Sequence, residues 1–324
     1  MVAAIRVHET GGPEVLKFEE IELPPPAKGE IRVRQTAIGV NYIDTYFRSG
    51  LYKAPQMPFI AGNEAAGEVV ALGEGVTGFA KGDRVAYVVT LGCYAAERNV
   101  PANMAVKLPS GVSDEVAAAM MLKGLTAEYL LHRTYAVKKG DIVLVHAAAG
   151  GVGQILTQWA KHLGATVIGT VGTEEKAALA KSLGADHVIL YRKEDVAKRV
   201  VEITHGAKCH VVYDGVGKST FEGSLDSLRP LGVLASFGNA SGPVQAFDLG
   251  ILGAKGSLFV TRPTLFTFIP KREWLEEMAA RLFAVVASGA VKIDISRRAK
   301  LSEAADVHRA LEGRETTGAM ILTP

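Results

Sequence analysis

Apolar positions along the chain keep two different rhythms, and the change between them falls near residue 125. Before it, short runs such as EIRVRQTAIGV (30–40), GNEAAGEVVALG (62–73) and GDRVAYVV (82–89) are separated by Gly and Pro. That is the pattern of many short strands in a β-rich unit. PPPAKGE (24–30) reads as a rigid exposed turn. From Gly140 a regular beat begins: strand 141–146, helix 151–163, strand 166–171, helix 173–183, strand 187–190, helix 194–204, strand 210–214, a helix to Leu228 and strand 232–238. The first helix carries Val152, Ile155, Trp159 and Leu163 at helical spacing. GSLFVT (256–261) adds a sixth strand. Strands alternating with helices of this length require crossovers and a parallel sheet.

After Pro263 the beat stops. A helix over 271–288, a strand VKIDIS (291–296), a helix over 302–312 and a terminal GAMILTP (318–324) follow. The tail is expected to rejoin the first domain. Residues 1–124 and 265–324 then form one discontinuous domain, and 125–264 form the other. The fold class is α/β, a β-rich domain beside a doubly wound parallel sheet.

Composition narrows the function without naming it. A chain of 324 residues is long enough for two cores. With 48% hydrophobic and 22% charged residues it has the make-up of a globular protein. The net charge of +2, with basic and acidic residues interleaved, gives no electrostatic case for nucleic acid. Two distant cysteines, Cys93 and Cys209, make no disulfide framework. No bilayer-length apolar run and no signal-peptide core occur, so a cytoplasmic protein without a membrane partner is expected.

The strand ending at His146 runs into AAAGGVGQ, where Ala148, Gly150 and Gly153 stand at the spacing of a dinucleotide-binding turn. Small residues there let a pyrophosphate reach the N–H groups that open the next helix. Gly150, Gly151 and Val152 are the candidate contacts, and Ala148 replaces the usual first glycine. An NAD site places an acid at the tip of the second strand to bind the ribose 2′-hydroxyl. Here the tip reads Val171-Gly172-Thr173, and Glu174 and Glu175 belong to the first helical turn with Thr173 as N-cap. Lys176, Tyr191 and Arg192 are donors suited to a 2′-phosphate, so NADPH is the expected cofactor, with Gly172 and Thr173 at its side. FGNAS ends the fifth strand at the carboxyl edge, where such sheets bind ligands, and adds Phe237, Gly238, Asn239 and Ser241.

These residues sit in a chain that resembles the medium-chain dehydrogenase/reductase family, and within it the NADPH-dependent quinone oxidoreductases related to zeta-crystallin. GGPEVL (11–16), GVNYIDTYFRSGLY (39–52), GNEAAGEV (62–69), LKGLTA (122–127), HAAAGGVGQ (146–154), VVYDGVG (211–217), SFGNASG (236–242) and TTGAMIL (316–322) carry the resemblance, which spans the whole chain. It implies a GroES-like β-rich domain, a Rossmann domain and a homodimer. By the same resemblance Asn41 and Tyr46 line the nicotinamide side of an interdomain cleft, and Tyr52 lies near the substrate mouth. Lys123 and Thr126, opening the helix into the second domain, reach the nicotinamide ribose or the phosphates. Phe259 and Thr261 near the end of the sixth strand, and Arg314 from the returning tail, complete the cofactor set. Asp44 and Glu64 are polar neighbours, with Glu64 supporting the loop, and Cys93 is a packing residue.

Zinc enzymes of the superfamily place a cysteine in the segment matching VNYIDTY and a histidine before the glutamate of GNE. Here no cysteine lies between Val40 and Tyr46, and Asn63 holds the second place. The eight histidines lack ligand spacing, so no metal is expected. Without a Lewis acid, a substrate that accepts hydride unaided is favoured, and a small-molecule quinone meets that condition. The alternatives are an NADPH-dependent enone or alkene reductase, and a cofactor-binding structural or RNA-binding protein. The outer edge of 256–261 offers a pairing edge for the dimer.

Overall fold

The computed structural model describes residues 1–313 and 316–324. Two compact units emerge: Met1–Leu125 with Ile269–Ala287 and Ile293–Pro324, and Thr126–Phe268 with Ser288–Lys292. The chain thus passes from one unit to the other at Leu125/Thr126 and returns at Phe268/Ile269, with a further short excursion at Ser288–Lys292.

The first unit is organised around the long strand Glu30–Val40. Ile31 and Val33 turn inward while Arg34 pairs with Glu68 on the exposed face, the alternation of a sheet covered on one side. From Ala37 to Val40 the strand is buried throughout, and it delivers Asn41 into the interior. It pairs antiparallel with Glu64–Leu72, with Glu97–Pro101 and, at its far end, with Ala319–Thr323 (Met320 opposite Val40). The last strand therefore completes a sheet begun near the start of the chain. Its other neighbour, Ile295–Lys300, lies parallel to it. That strand was expected at 291–296. Residues 288–292 belong to the second unit, so extended pairing starts only after the chain has come back.

In the second unit, among the described residues, six strands form one parallel sheet in the order His187–Leu190, Thr166–Val171, Ile142–Val145, Cys209–Asp214, Leu228–Ser236, Phe259–Thr261. In sequence order this is 3-2-1-4-5-6, the Rossmann arrangement. Apolar side chains from Leu144, Ile168, Val212 and Leu234 meet Val200, Phe221 and Leu225 of the covering helices in its core. Two expected boundaries move. The helix meant to reach Leu228 ends at Asp226, and the fifth strand begins at Leu228 and runs through Pro230, with a register shift between Cys209 and Val211 opposite it. Such an irregularity is where a sheet tolerates proline. The sixth strand is shorter than 256–261, because Gly256 (φ 110°) and Ser257 (φ 56°) hold left-handed conformations that end a turn rather than extend a strand.

Candidate active site

In the first unit the site is built where Glu30–Val40 passes into the helix Tyr42–Ser49. Asn41 caps this helix in an extended conformation, and its N–H donates to Asp44 Oδ2 at 2.8 Å. A carboxylate at that position satisfies one open donor and faces the positive end of the helix dipole. The Asn41 side chain also reaches the neighbouring strand, where its Nδ2 donates to Glu64 Oε1 at 2.7 Å. Glu64 is fully buried and also accepts Lys123 Nζ at 2.8 Å and the Leu122 N–H at 2.6 Å. One carboxylate thus fixes a strand, a cap and the helix Asp114–Tyr129. This approach needs Gly39, where a Cβ would collide with the Ala118 carbonyl and the Glu64 carboxylate.

Tyr46 and Tyr52 form an edge-on pair with ring centroids 5.1 Å apart, and the Tyr52 N–H donates to the Tyr46 carbonyl at 2.9 Å. Gly50, in the left-handed region at φ 83°, closes the helix and makes this return possible. Asp44 is held up at about 7 by burial; the Asn41 N–H and the Tyr94 hydroxyl oppose the shift, and the nearby charge of Glu64 adds to it.

Lys123 was expected at the start of its helix. It lies well inside Asp114–Tyr129, and its amine is committed to Glu64. Gly124 beside it is a packing position: a Cβ there would stand 2.5 Å from Leu282 Cδ1. Thr126 follows on the same helix, past the change of unit, and its hydroxyl meets that of Tyr129.

In the second unit parallel strands bring their carboxyl ends to one edge, and most candidate cofactor residues gather there. Gly150 caps the helix Gly151–His162 with no side-chain acceptor, and the first turn, with Val152, carries no acid. The opening N–H groups and the dipole therefore meet no side-chain acceptor of the cap or first turn, an arrangement that suits an anion. A Cβ on Gly153 would run into the Ala147 carbonyl, so the helix can sit this close to the turn only with glycine. At the next strand end, Thr173 caps Glu174–Ser182 by accepting the Lys176 N–H at 3.3 Å. Tyr191 and Arg192 lean over Gly172: a Cβ there would be 2.7 Å from the Tyr191 hydroxyl and 3.3 Å from Arg192 Nε. Gly238 backs onto the Gly215 carbonyl, Phe237 packs beside Gly215, and Ser241 Oγ accepts the Ser219 N–H and donates to the Val216 carbonyl. Asn239 lies in the same turn. Thr261 ends the outermost strand, whereas Phe259 opens it, level with Val233 and 58% exposed. Arg314 lies outside the described residues.

The chain matches the family models for an alcohol dehydrogenase GroES-like domain over residues 27–141 and for a zinc-binding dehydrogenase over residues 151–281. It is 51% identical over 325 residues to a quinone oxidoreductase of Pseudomonas aeruginosa, covering 100% of both chains. The chain belongs to the quinone oxidoreductase family of medium-chain dehydrogenases/reductases. The Escherichia coli member of this family, in a structure complexed with NADPH, is 50% identical and superposes with a TM-score of 0.97 over 99% of this chain and 100% of that one. A 2-haloacrylate reductase from Burkholderia is 46% identical over 100% of this chain and 99% of its own length.

The donor set does not fit zinc. Asn63, in the place of the zinc enzymes' histidine, ties its Nδ2 to the Val89 carbonyl at 3.1 Å. Burial pushes the thiols of Cys93 and Cys209 up to about 12, far from the thiolate a metal needs. Among the described residues no three His, Cys, Asp or Glu side chains are grouped to hold a metal ion.

Several residues of this region carry no signal in the sequence. Tyr94, His308 and Arg48 meet behind Asp44, yet His308 lies more than two hundred positions from its partners. Glu64 was expected as a polar neighbour that supports the loop, and its pairing with Lys123 was not foreseen.

Proposed function

We propose that this protein is an NADPH:quinone oxidoreductase that works without a metal, in the cytoplasm, as a homodimer. What supports the reading above all is full-length identity near 50% to quinone oxidoreductases, together with a second strand whose tip carries no acid and the donors Lys176, Tyr191 and Arg192 on the segments that follow it. NADPH, when bound, supplies the hydride; a quinone takes it with one proton and becomes a hydroquinone. The open helix N-terminus after Gly150 receives the pyrophosphate, and Lys176, Tyr191 and Arg192 receive the 2′-phosphate. Tyr46 and Tyr52 present ring faces and hydroxyls to a planar acceptor, and Asn41, held by Glu64, orients it. No helix among the described residues is long and apolar enough to cross a membrane.

The 2-haloacrylate reductase relative favours one second reading, reduction of an activated alkene. Steady-state rates with a benzoquinone and with a haloacrylate or enone separate the two. The quinone is expected to give the higher kcat/KM, and the reverse order overturns the reading. With NADPH and NADH as titrants, Lys176→Ala should lose about 10- to 100-fold of its NADPH preference, the worth of one charged hydrogen bond. An unchanged ratio removes Lys176 from the phosphate site.

A further inference from the structure

Behind the helix Tyr42–Ser49 runs a line of polar side chains that the reaction above does not use. Glu312 accepts Arg48 Nη2 at 2.7 Å and Nη1 at 3.0 Å. Arg48 Nη1 lies 3.4 Å from His308 Nδ1, His308 Nε2 lies 3.0 Å from the Tyr94 hydroxyl, and that hydroxyl lies 2.9 Å from Asp44 Oδ2. Arg48, His308, Tyr94 and Asp44 are each 2% exposed or less.

The direction of this chain follows from its end members. Arginine carries donors only, and it does not give up a proton. His308 Nδ1 must therefore accept, which leaves the ring neutral with its proton on Nε2. That N–H donates to the Tyr94 oxygen, so the one proton of Tyr94 goes to Asp44. Reversed, the chain would set an imidazole N–H against a guanidinium N–H. The Arg48 guanidinium is also anchored by the Gly11 carbonyl at 3.1 Å, so it cannot turn aside. Arg48 therefore blocks proton conduction to the surface and imposes a fixed polarity. Asp44 Oδ2 takes two donors, Tyr94 and the Asn41 N–H, while its Oδ1 is buried without a hydrogen-bond partner.

We propose that Arg48, His308 and Tyr94 are positioning residues: they hold Asp44 as the acceptor that fixes the Asn41 cap, and turnover falls as Asp44 takes up a proton on Oδ1. The kinetic half rests on the quinone reading. Neutral Asp44 would grip the Asn41 N–H more weakly and withdraw a negative charge from the helix N-terminus, loosening the segment that carries Asn41 and Tyr46. The other groups that face Asp44 are Cys93, a neutral thiol, on the segment with Tyr94, Glu64 on the strand Glu64–Leu72, and Lys123 on the helix Asp114–Tyr129; the last two neutralise each other. Burial places the proton uptake of Asp44 near neutrality, within reach of an experiment.

The test is infrared titration of the full chain without cofactor, following the C=O band of a protonated carboxyl. The parent should show a band with a midpoint near neutrality that Asp44→Asn abolishes. Tyr94→Phe should raise the midpoint by about one to two pH units, the worth of one hydrogen bond to a charged group. His308→Phe should raise it by less. His308→Gln should leave it in place, because an amide offers N–H to Tyr94 and C=O to Arg48. The acid limb of kcat with NADPH and a benzoquinone should follow the same order. A band that survives Asp44→Asn, or one midpoint shared by parent and Tyr94→Phe, overturns the proposal. So does an acid limb that stays put while the infrared midpoint moves. Should Tyr94→Phe fail to fold, the contrast between His308→Phe and His308→Gln decides. Infrared shifts as stated in a parent without quinone turnover would instead sink the quinone reading and leave the chain's hold on Asp44 supported.

Discussion

Asp44 and His308 lie two hydrogen bonds apart and pull the pH dependence of stability in opposite directions. Burial raises Asp44 to about 7, so between about pH 4 and 7 the folded chain holds a proton there that the unfolded chain has released. Stability contributed by this group falls as pH rises through that window. His308 is lowered to about 3, by burial first and by the charge of Arg48 second. Between about pH 3 and 6.5 the unfolded chain holds the extra proton, and stability from this group rises with pH. In the parent the two slopes largely cancel; single variants should uncover them. Relative to the parent, Asp44→Asn should gain stability between pH 4.5 and 7.5, and His308→Gln should lose it, each by ~2–4 kcal/mol. Urea unfolding at the two pH values measures both. Changes of the same sign in the two variants would contradict this assignment of charge states.

The elements of the first unit meet through one buried ion pair rather than through apolar packing alone. Glu64, fully buried, holds Lys123 and the Leu122 N–H of the helix Asp114–Tyr129, and also the side chain of Asn41. Glu64→Gln leaves a buried ammonium without a counter-charge and should cost about 3–5 kcal/mol. Adding Lys123→Met should recover most of that loss, and chemical denaturation of the four members of the cycle measures it. A double variant no more stable than Glu64→Gln would show that Glu64 acts mainly through Asn41 and Leu122. Elements of this kind divide what the sequence reveals. The strand–helix beat of the second unit and the cap at Thr173 are local: periodicity and one hydroxyl define them, and the structure has both. The short start of the sixth strand was hidden because GSLFVT has the composition of a strand, while the left-handed Gly256 and Ser257 are set by the preceding turn. The true place of Lys123 was hidden because Gly124 serves Leu282, a partner more than one hundred and fifty positions away. The turns proposed to hold the cofactor in the second unit could be singled out because each carries its own chemistry. The Asp44 chain could not, since its members share neither a motif nor a neighbourhood in the sequence.

At the scale of the whole molecule, the outer edge of the second unit's sheet sets the expected assembly. Phe259–Thr261 pairs on one side with Leu228–Ser236, and among the described residues no strand covers its other side. An uncovered edge offers a row of N–H and C=O groups to another chain, and natural proteins usually blunt such edges with charge, bulges or a covering segment. Here two large apolar side chains stand exposed beside it. Phe259 is 58% exposed, and Leu231, whose N–H donates to the Gly256 carbonyl just before the strand, is 62% exposed. A two-fold partner can lay the same strand antiparallel against this edge, extending the sheet and covering both side chains. Pro263 follows two residues after the strand and has no N–H to give, so the pairing should stop there. Light scattering across a dilution series should find a dimer at micromolar concentration. Phe259→Glu, which sets two like charges close to the two-fold axis while removing an exposed ring, should give a folded monomer with unchanged circular dichroism. A parent that is monomeric throughout the series refutes the dimer, and a Phe259→Glu variant that remains dimeric moves the interface away from this edge.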